Sequence, residues 1–152
     1  MTDVVDKATR SRMMSGIRGK DTKPELQIRK GLHARGFRYR LHDKRLPGKP
    51  DVVLPKYNAV IFVHGCFWHG HDCHLFKWPM SNRAFWRKKI TRNQEKDAES
   101  YTRLKEQGWY ILTVWECVLK GRERYPVNIV IDRIEHWIKY SLRCHSLRGR
   151  ST

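Results

Sequence analysis

The stretch from Ala59 to His74 constrains this chain more than any other. It begins as an apolar run, Ala-Val-Ile-Phe-Val, bounded by Asn58 and Gly65, which predicts a buried strand. Directly after it come His64, Cys66, His69, His71, Cys73 and His74, with Phe67 and Trp68 between them. Six metal-ligating side chains within eleven positions exceed what packing at a strand end requires. The rest of the chain must therefore fold so that this strand ends at a site.

The flanking elements read as an α/β domain. Thr22-Lys-Pro-Glu25 is a helix start, with Thr22 as cap and Pro24 in the first turn. The helix continues through Leu26, Ile28 and Leu32 to Gly36. Glu25 is either its capping carboxylate or an acid facing an active site. Phe37, Tyr39 and Leu41 alternate with polar residues as a half-buried strand. After the Leu46-Pro-Gly-Lys-Pro50 turn, Asp51 opens a second strand to Leu54, and Ala59 to Val63 is the third. Short connections predict an antiparallel meander. Ser81 caps a long helix running to about Gln107 and ended by Gly108. Its middle, with Arg87, Lys88, Lys89, Arg92 and Asn93, is too polar for a core face; it is either solvated or laid against DNA. Trp109 to Trp115 is a fourth strand, and Ile129, Ile131, Ile134, Trp137 and Ile138 mark a C-terminal amphipathic helix. A single domain with a central mixed sheet flanked by helices is expected over residues 21–141. Residues 1–20 read as an N-terminal arm that orders on a partner, and 142–152 as a basic, disordered tail.

Charge narrows the partner. Lys and Arg number 32 against 15 Asp and Glu, a net of +17 on 152 residues. So strong a positive field favours a polyanion, and basic residues interleaved with aromatics favour nucleic acid over a ribosomal or membrane-surface partner. No stretch approaches a membrane span and Met1 to Arg10 has no apolar signal core, so a cytosolic protein is expected.

Clustered Cys and His in a cytosolic chain suggest metal rather than disulfides. Cys66, His71 and Cys73 fall within eight residues, and Cys117 ends the next core strand, so these four form a candidate tetrahedral Zn²⁺ set; the alternative is that they hold no metal. Cys144 stands apart as a free thiol. Asp51 begins one strand and His64 ends its antiparallel neighbour, which brings both to one sheet edge. A carboxylate there suits Mg²⁺ and a phosphate, although Asp51 also fits as a plain turn residue after Pro50. Neutral His69 can then act as general base, which together is the chemistry of metal-assisted phosphodiester hydrolysis. Phe67 and Trp68 either pack in the core or project toward a ligand.

Leu46-Pro-Gly-Lys-Pro-Asp51, Val60-Ile-Phe-Val-His-Gly-Cys-Phe-Trp-His69, Phe85-Trp86, Val114-Trp-Glu-Cys117 and, at the N-terminus, Asp6-Lys-Ala-Thr-Arg-Ser11 closely resemble the very short patch repair (Vsr) DNA mismatch endonucleases. The resemblance spans roughly residues 5 to 140. It implies a restriction-endonuclease-like fold and a strand-specific, Mg²⁺-dependent nick 5′ to the thymine of a T·G mismatch, the product of 5-methylcytosine deamination. It implies that Asp51 binds Mg²⁺, that His69 activates water, and that His64 and Glu25 support them. It implies structural zinc on Cys66, His71, Cys73 and Cys117. It implies DNA wedges at Phe67, Trp68 and Trp86, entry of Met14 from the opposite groove, and base reading by Lys89 and Asn93. Mismatch-repair proteins are implied as partners of a monomer associated with the bacterial nucleoid. The chain departs from the wider nuclease superfamily in lacking an acid and a Lys on the strand after Asp51, as Vsr-like enzymes do. It departs from Vsr-like enzymes in having Val63 where Thr is common. A ligating backbone carbonyl at Val63 tolerates the change.

Overall fold

The computed structural model describes residues 21–150; the expected N-terminal arm, Met14 included, lies outside them. The described elements run α1 (Lys23–Ala34), β1 (Arg40–Leu41), β2 (Val52–Leu54), β3 (Ala59–His64), α2 (Arg83–Glu106), β4 (Tyr110–Trp115), α3 (Val127–Tyr140) and β5 (His145–Leu147).

The strands form one mixed sheet in chain order. β1, β2 and β3 are antiparallel, as their short links require. β4 lies parallel to β3, with Ala59 opposite Tyr110 and His64 opposite Trp115, and β5 lies parallel to β4. Helices α2 and α3 make the two parallel crossovers. The central strands are buried on both faces, which is why they read as unbroken apolar runs. Val52, Leu54, Ala59, Ile61, Leu112 and Val114 face Ile28 and Leu32 of α1 and the apolar side of α3. Val53, Val60, Phe62 and Ile111 face Leu104 and Tyr101 of α2. The result is the expected mixed α/β fold, consistent with a restriction-endonuclease-like architecture.

Three differences have physical causes. β1 is only two residues long and its Leu41 is exposed, because Phe37 and Tyr39 already supply the apolar contacts before the strand begins. Asn82, in a left-handed conformation and without a side-chain cap bond, replaces Ser81 at the start of α2. The tail is not disordered through its described length: residues 145–147 pair with β4, which would otherwise be an open edge. Trp137 Nε1 donates to the Arg143 carbonyl at 2.8 Å and turns the chain back. Leu142 and Leu147 then reach the core. Among the described residues, no helix is long and apolar enough to cross a membrane.

Candidate active site and metal centre

The meander delivers Asp51 and His64 to one edge of the sheet. Asp51 Oδ2 accepts from the Val63 backbone N–H at 2.7 Å, across the antiparallel pair and one residue before His64. Glu25 reaches the same place from α1. It serves the helix start, accepting the Asp21 N–H at 3.2 Å, while Thr22 Oγ1 accepts the Glu25 N–H. Yet it is 1% exposed, accepts from Arg29 Nη1 at 2.8 Å, meets His42 Nε2 at 2.9 Å and shares a hydrogen bond with Asp51. Glu25 is thus part of the helix start and also lies beside Asp51. Burial, with Glu25 alongside, pushes the Asp51 carboxyl up to about 7. Two adjacent carboxyl groups, one raised by burial and by its neighbour, are a donor set that fits a hard divalent cation.

The second half of this site comes from the loop after β3. The His69 ring stacks flat on His64, centroids 3.8 Å apart and planes within 3°. His69 Nδ1 meets Asp97 Oδ2 of α2 at 2.5 Å. His64 Nδ1 lies 3.3 Å from the Tyr101 hydroxyl, which accepts from Thr113 Oγ1 at 3.1 Å. Burial, and then the His69 ring, hold His64 well below the ordinary imidazole range. The polar middle of α2 thus has a use that neither solvation nor DNA contact anticipated. Asn93 Nδ2 donates to the Trp68 carbonyl at 2.8 Å, and Gln94 Nε2 to the His69 carbonyl at 3.2 Å. Together with Ile90, Tyr101 and Leu104, Asn93 and Asp97 make one continuous helix stripe. Gly70, at φ 61°, lets the loop press against this stripe; a Cβ there would lie 2.4 Å from Gln94 Nε2.

Phe67, Trp68 and Trp86 form a half-buried cluster, with centroids 5.3 Å (Phe67 to Trp86), 5.4 Å (Phe67 to Trp68) and 5.7 Å (Trp68 to Trp86) apart. They belong to neither core and stand in and against the loop after β3, with Phe85 and Trp78 exposed at their margin. Lys89 lies half-buried on α2, one turn before Asn93.

Cys66, His71, Cys73 and Cys117 converge, their ligand atoms all within 4.8 Å of one another. This donor set, three sulfurs and one imidazole in a closed and largely buried group, fits a tetrahedral metal ion. The His71 ring stacks on Trp115 at 4.0 Å, and burial followed by Arg148 lowers His71 to about 4, so it stays a neutral ligand at physiological pH. Hydrogen bonding from Cys66 holds the Cys117 thiol down to about 6 and raises Cys66 in turn.

His42, Asp97, Tyr101 and Arg29 were not singled out in the sequence. A signal existed for Asp97 and Tyr101: they fall four and eight residues after Asn93. For His42 there was none, because its contact with Glu25 depends on the β1–β2 pairing.

The DNA mismatch endonuclease Vsr family model matches residues 2–75. The chain is 47% identical to the DNA mismatch endonuclease Vsr of Escherichia coli K12 over 138 residues, 91% of this chain and 88% of that one. The chain belongs to the Vsr family. It is also 50% identical to the type II nicking enzyme V.NmeAIP of Neisseria meningitidis over 89% of this chain and 98% of that one. The type II nicking enzyme V.XorIIP of Xanthomonas oryzae is 44% identical over 78% of this chain and 88% of that one. As a Vsr family member the chain is a DNA endonuclease, a hydrolase of DNA repair.

Proposed function

We propose that this Vsr-family enzyme nicks one strand of duplex DNA 5′ to the thymine of a T·G mismatch left by 5-methylcytosine deamination. The observation that carries the reading is the bond from the Val63 N–H to Asp51, which sets the Asp51–Glu25 carboxyl pair one residue along the strand from His64 and the His69–Asp97 pair stacked on it. Mg²⁺ is the metal proposed there, on the Asp51 carboxylate and the Val63 backbone carbonyl, where it would offset developing phosphate charge and favour ionisation of the attacking water.

The protein residues do the rest. Asp97 takes the Nδ1 proton side of His69, which leaves Nε2 free to remove a proton from water. The Asp97 carboxylate then stabilises the imidazolium, as a carboxylate behind a catalytic histidine does. Two stacked imidazoles cannot both be charged. Burial keeps His64 neutral, so His69 is the one that accepts the proton. With Thr113 donating to Tyr101, the tyrosine proton points at His64 Nδ1, and His64 Nε2–H is left as a donor for a phosphate oxygen.

Phe67, Trp68 and Trp86 are proposed to wedge into the base stack, with Met14 from the opposite groove. Wedging costs a few kcal/mol per step, and a mismatched pair opens more easily than a matched one, so the cost itself discriminates. Lys89 and Asn93 are proposed to read bases, Asn93 through its carbonyl side while its amide holds Trp68. Cys66, His71, Cys73 and Cys117 are proposed to hold Zn²⁺ as a closed structural centre. The enzyme is proposed to act as a monomer on the nucleoid, in contact with mismatch-repair proteins.

A labelled duplex with one T·G pair and its matched counterpart, each with Mg²⁺ or EDTA, tests this. A nick confined to the thymine strand of the mismatch, and lost in EDTA, is expected. Equal cutting of both duplexes would make the enzyme a sequence-specific nicking nuclease instead.

A further inference from the structure

The C-terminal segment has more contacts than the closing of a sheet edge requires. Beyond β5 it lies across the metal centre. The Gly149 backbone N–H donates to Cys117 Sγ at 3.3 Å, in a buried bond. The Arg150 N–H donates to the Glu123 carbonyl at 2.8 Å, and its guanidinium lies 4.8 Å over the Tyr125 ring. Arg148 Nη2 donates to the Asp72 carbonyl at 2.5 Å, next to the ligand Cys73. The segment therefore ties together the two loops that carry the metal ligands, 65–76 and 116–125. Other direct ties between these loops include Cys66 N–H to Glu116, His71 Nδ1 to Cys117 Sγ, and His74 Nδ1 to Glu123. Position 149 has no room for a side chain. A Cβ there would lie 2.6 Å from the Cys117 carbonyl oxygen and 2.8 Å from that of Glu123. Only a glycine lets the backbone lie this close to the ligand.

We propose that residues 145–150 are a strap that retains the metal, with the Gly149 amide as a positioning donor to the Cys117 sulfur. The inference rests on the reading of Cys66, His71, Cys73 and Cys117 as a zinc centre. An amide donor on a metal-bound thiolate withdraws electron density from the sulfur and fixes its lone pairs, as outer partners do at metal sites generally. The strap also covers the sulfur that a proton or a competing chelator must reach before the metal leaves. Arg148 contributes from the other side by holding the strap to the loop of Cys73.

The test uses the full-length protein, Gly149→Ala and Arg148→Ala. Zinc content is measured first, then the rate of zinc loss to an excess of chromogenic chelator, with far-UV circular dichroism before chelator is added. All three proteins are expected to fold with zinc bound, and both variants to release it at least about tenfold faster, in line with the loss of an outer-shell partner. In the Co²⁺-substituted proteins, the sulfur-to-cobalt charge-transfer band is expected to move to lower energy in Gly149→Ala, because the sulfur has lost its donor. A merely structural strap would leave that band in place. Should Gly149→Ala fail to fold, Arg148→Ala decides by its release rate. Wild-type release rates in folded, zinc-loaded variants would overturn the strap while leaving the zinc centre intact. A full-length protein that binds no zinc would overturn both.

Discussion

His69 has two neighbours that fix its ring. Asp97 bonds its Nδ1, and the His64 ring lies flat against it. A general base held on both sides presents its Nε2 in one orientation. Asp97→Asn keeps the shape but makes the wrong tautomer of His69 as favourable as the right one. It should slow single-turnover nicking by about 10²- to 10⁴-fold with mismatch affinity within a few-fold of wild type. Unchanged single-turnover rates would remove Asp97 from the mechanism. Asp51 makes a prediction about stability. Its carboxyl rises from an ordinary value near 3.8 to about 7 in the fold. Between those values the folded chain holds a proton that the unfolded chain lacks. That contribution to stability is complete at low pH and is lost as pH rises through about 7. Metal-free Asp51→Asn should therefore be more stable than metal-free wild type at pH 8, by up to a few kcal/mol, with the difference vanishing near pH 4. Thermal unfolding in EDTA at the two pH values measures it, and a variant less stable at pH 8 would contradict it.

At the scale of elements, α2 is the unexpected part. Its stripe of Ile90, Asn93, Asp97, Tyr101 and Leu104 changes from apolar to polar and back, because it packs on the core at its ends and on the loop after β3 in its middle. Asn93→Ala should release the Trp68 carbonyl and loosen the wedge. We expect weaker discrimination between T·G and matched duplex, by about 1 kcal/mol for one lost hydrogen bond, read from competition binding. Preserved discrimination would mean that the wedge is held without Asn93. The same helix shows what was legible in the sequence. The apolar strands, the meander and the amphipathic α3 are local signals, and they appear in the fold as expected. The four sulfur and nitrogen ligands could be grouped because three are neighbours in sequence and the fourth ends the adjacent strand. Asp97 carried only its spacing from Asn93 and His42 carried no signal, because a polar residue on a helix or strand end looks solvated until its tertiary partner is known. β5 was missed for a related reason: three residues with a single apolar side chain carry no period-2 signal, and its pairing depends on the free edge of β4.

At the scale of the whole molecule, charge and metal do different work. The net charge of +17 supplies sequence-independent attraction to phosphate. Raising salt should weaken binding to mismatched and matched duplexes steeply and in parallel, so that their ratio changes far less than either affinity. A ratio that collapses with salt would place the discrimination in phosphate contacts rather than in the wedge. The candidate metal centre joins the end of β4 to the loop after β3, the loop that carries the proposed wedge and general base. Cys117→Ser should therefore lose metal and several kcal/mol of stability together, because the binding energy of a structural zinc is folding energy. Unchanged metal content and melting would exclude Cys117 as a ligand.

Five of the six ligands of the opening stretch thus separate into two sites, while His74 bonds Glu123 instead. Cys66, His71 and Cys73 turn toward Cys117. His64, one residue after the Val63 N–H that holds Asp51, stacks on His69 beside Asp97, and Phe67 and Trp68 lie in the same loop. The central claim is that this second site performs the cut. Its most direct test is Asp51→Ala, followed on one T·G duplex by gel shift and by nicking with Mg²⁺ in the same samples. Mismatch binding close to wild type with nicking lost is the predicted result. Nicking at a wild-type rate in a folded Asp51→Ala enzyme would contradict the claim.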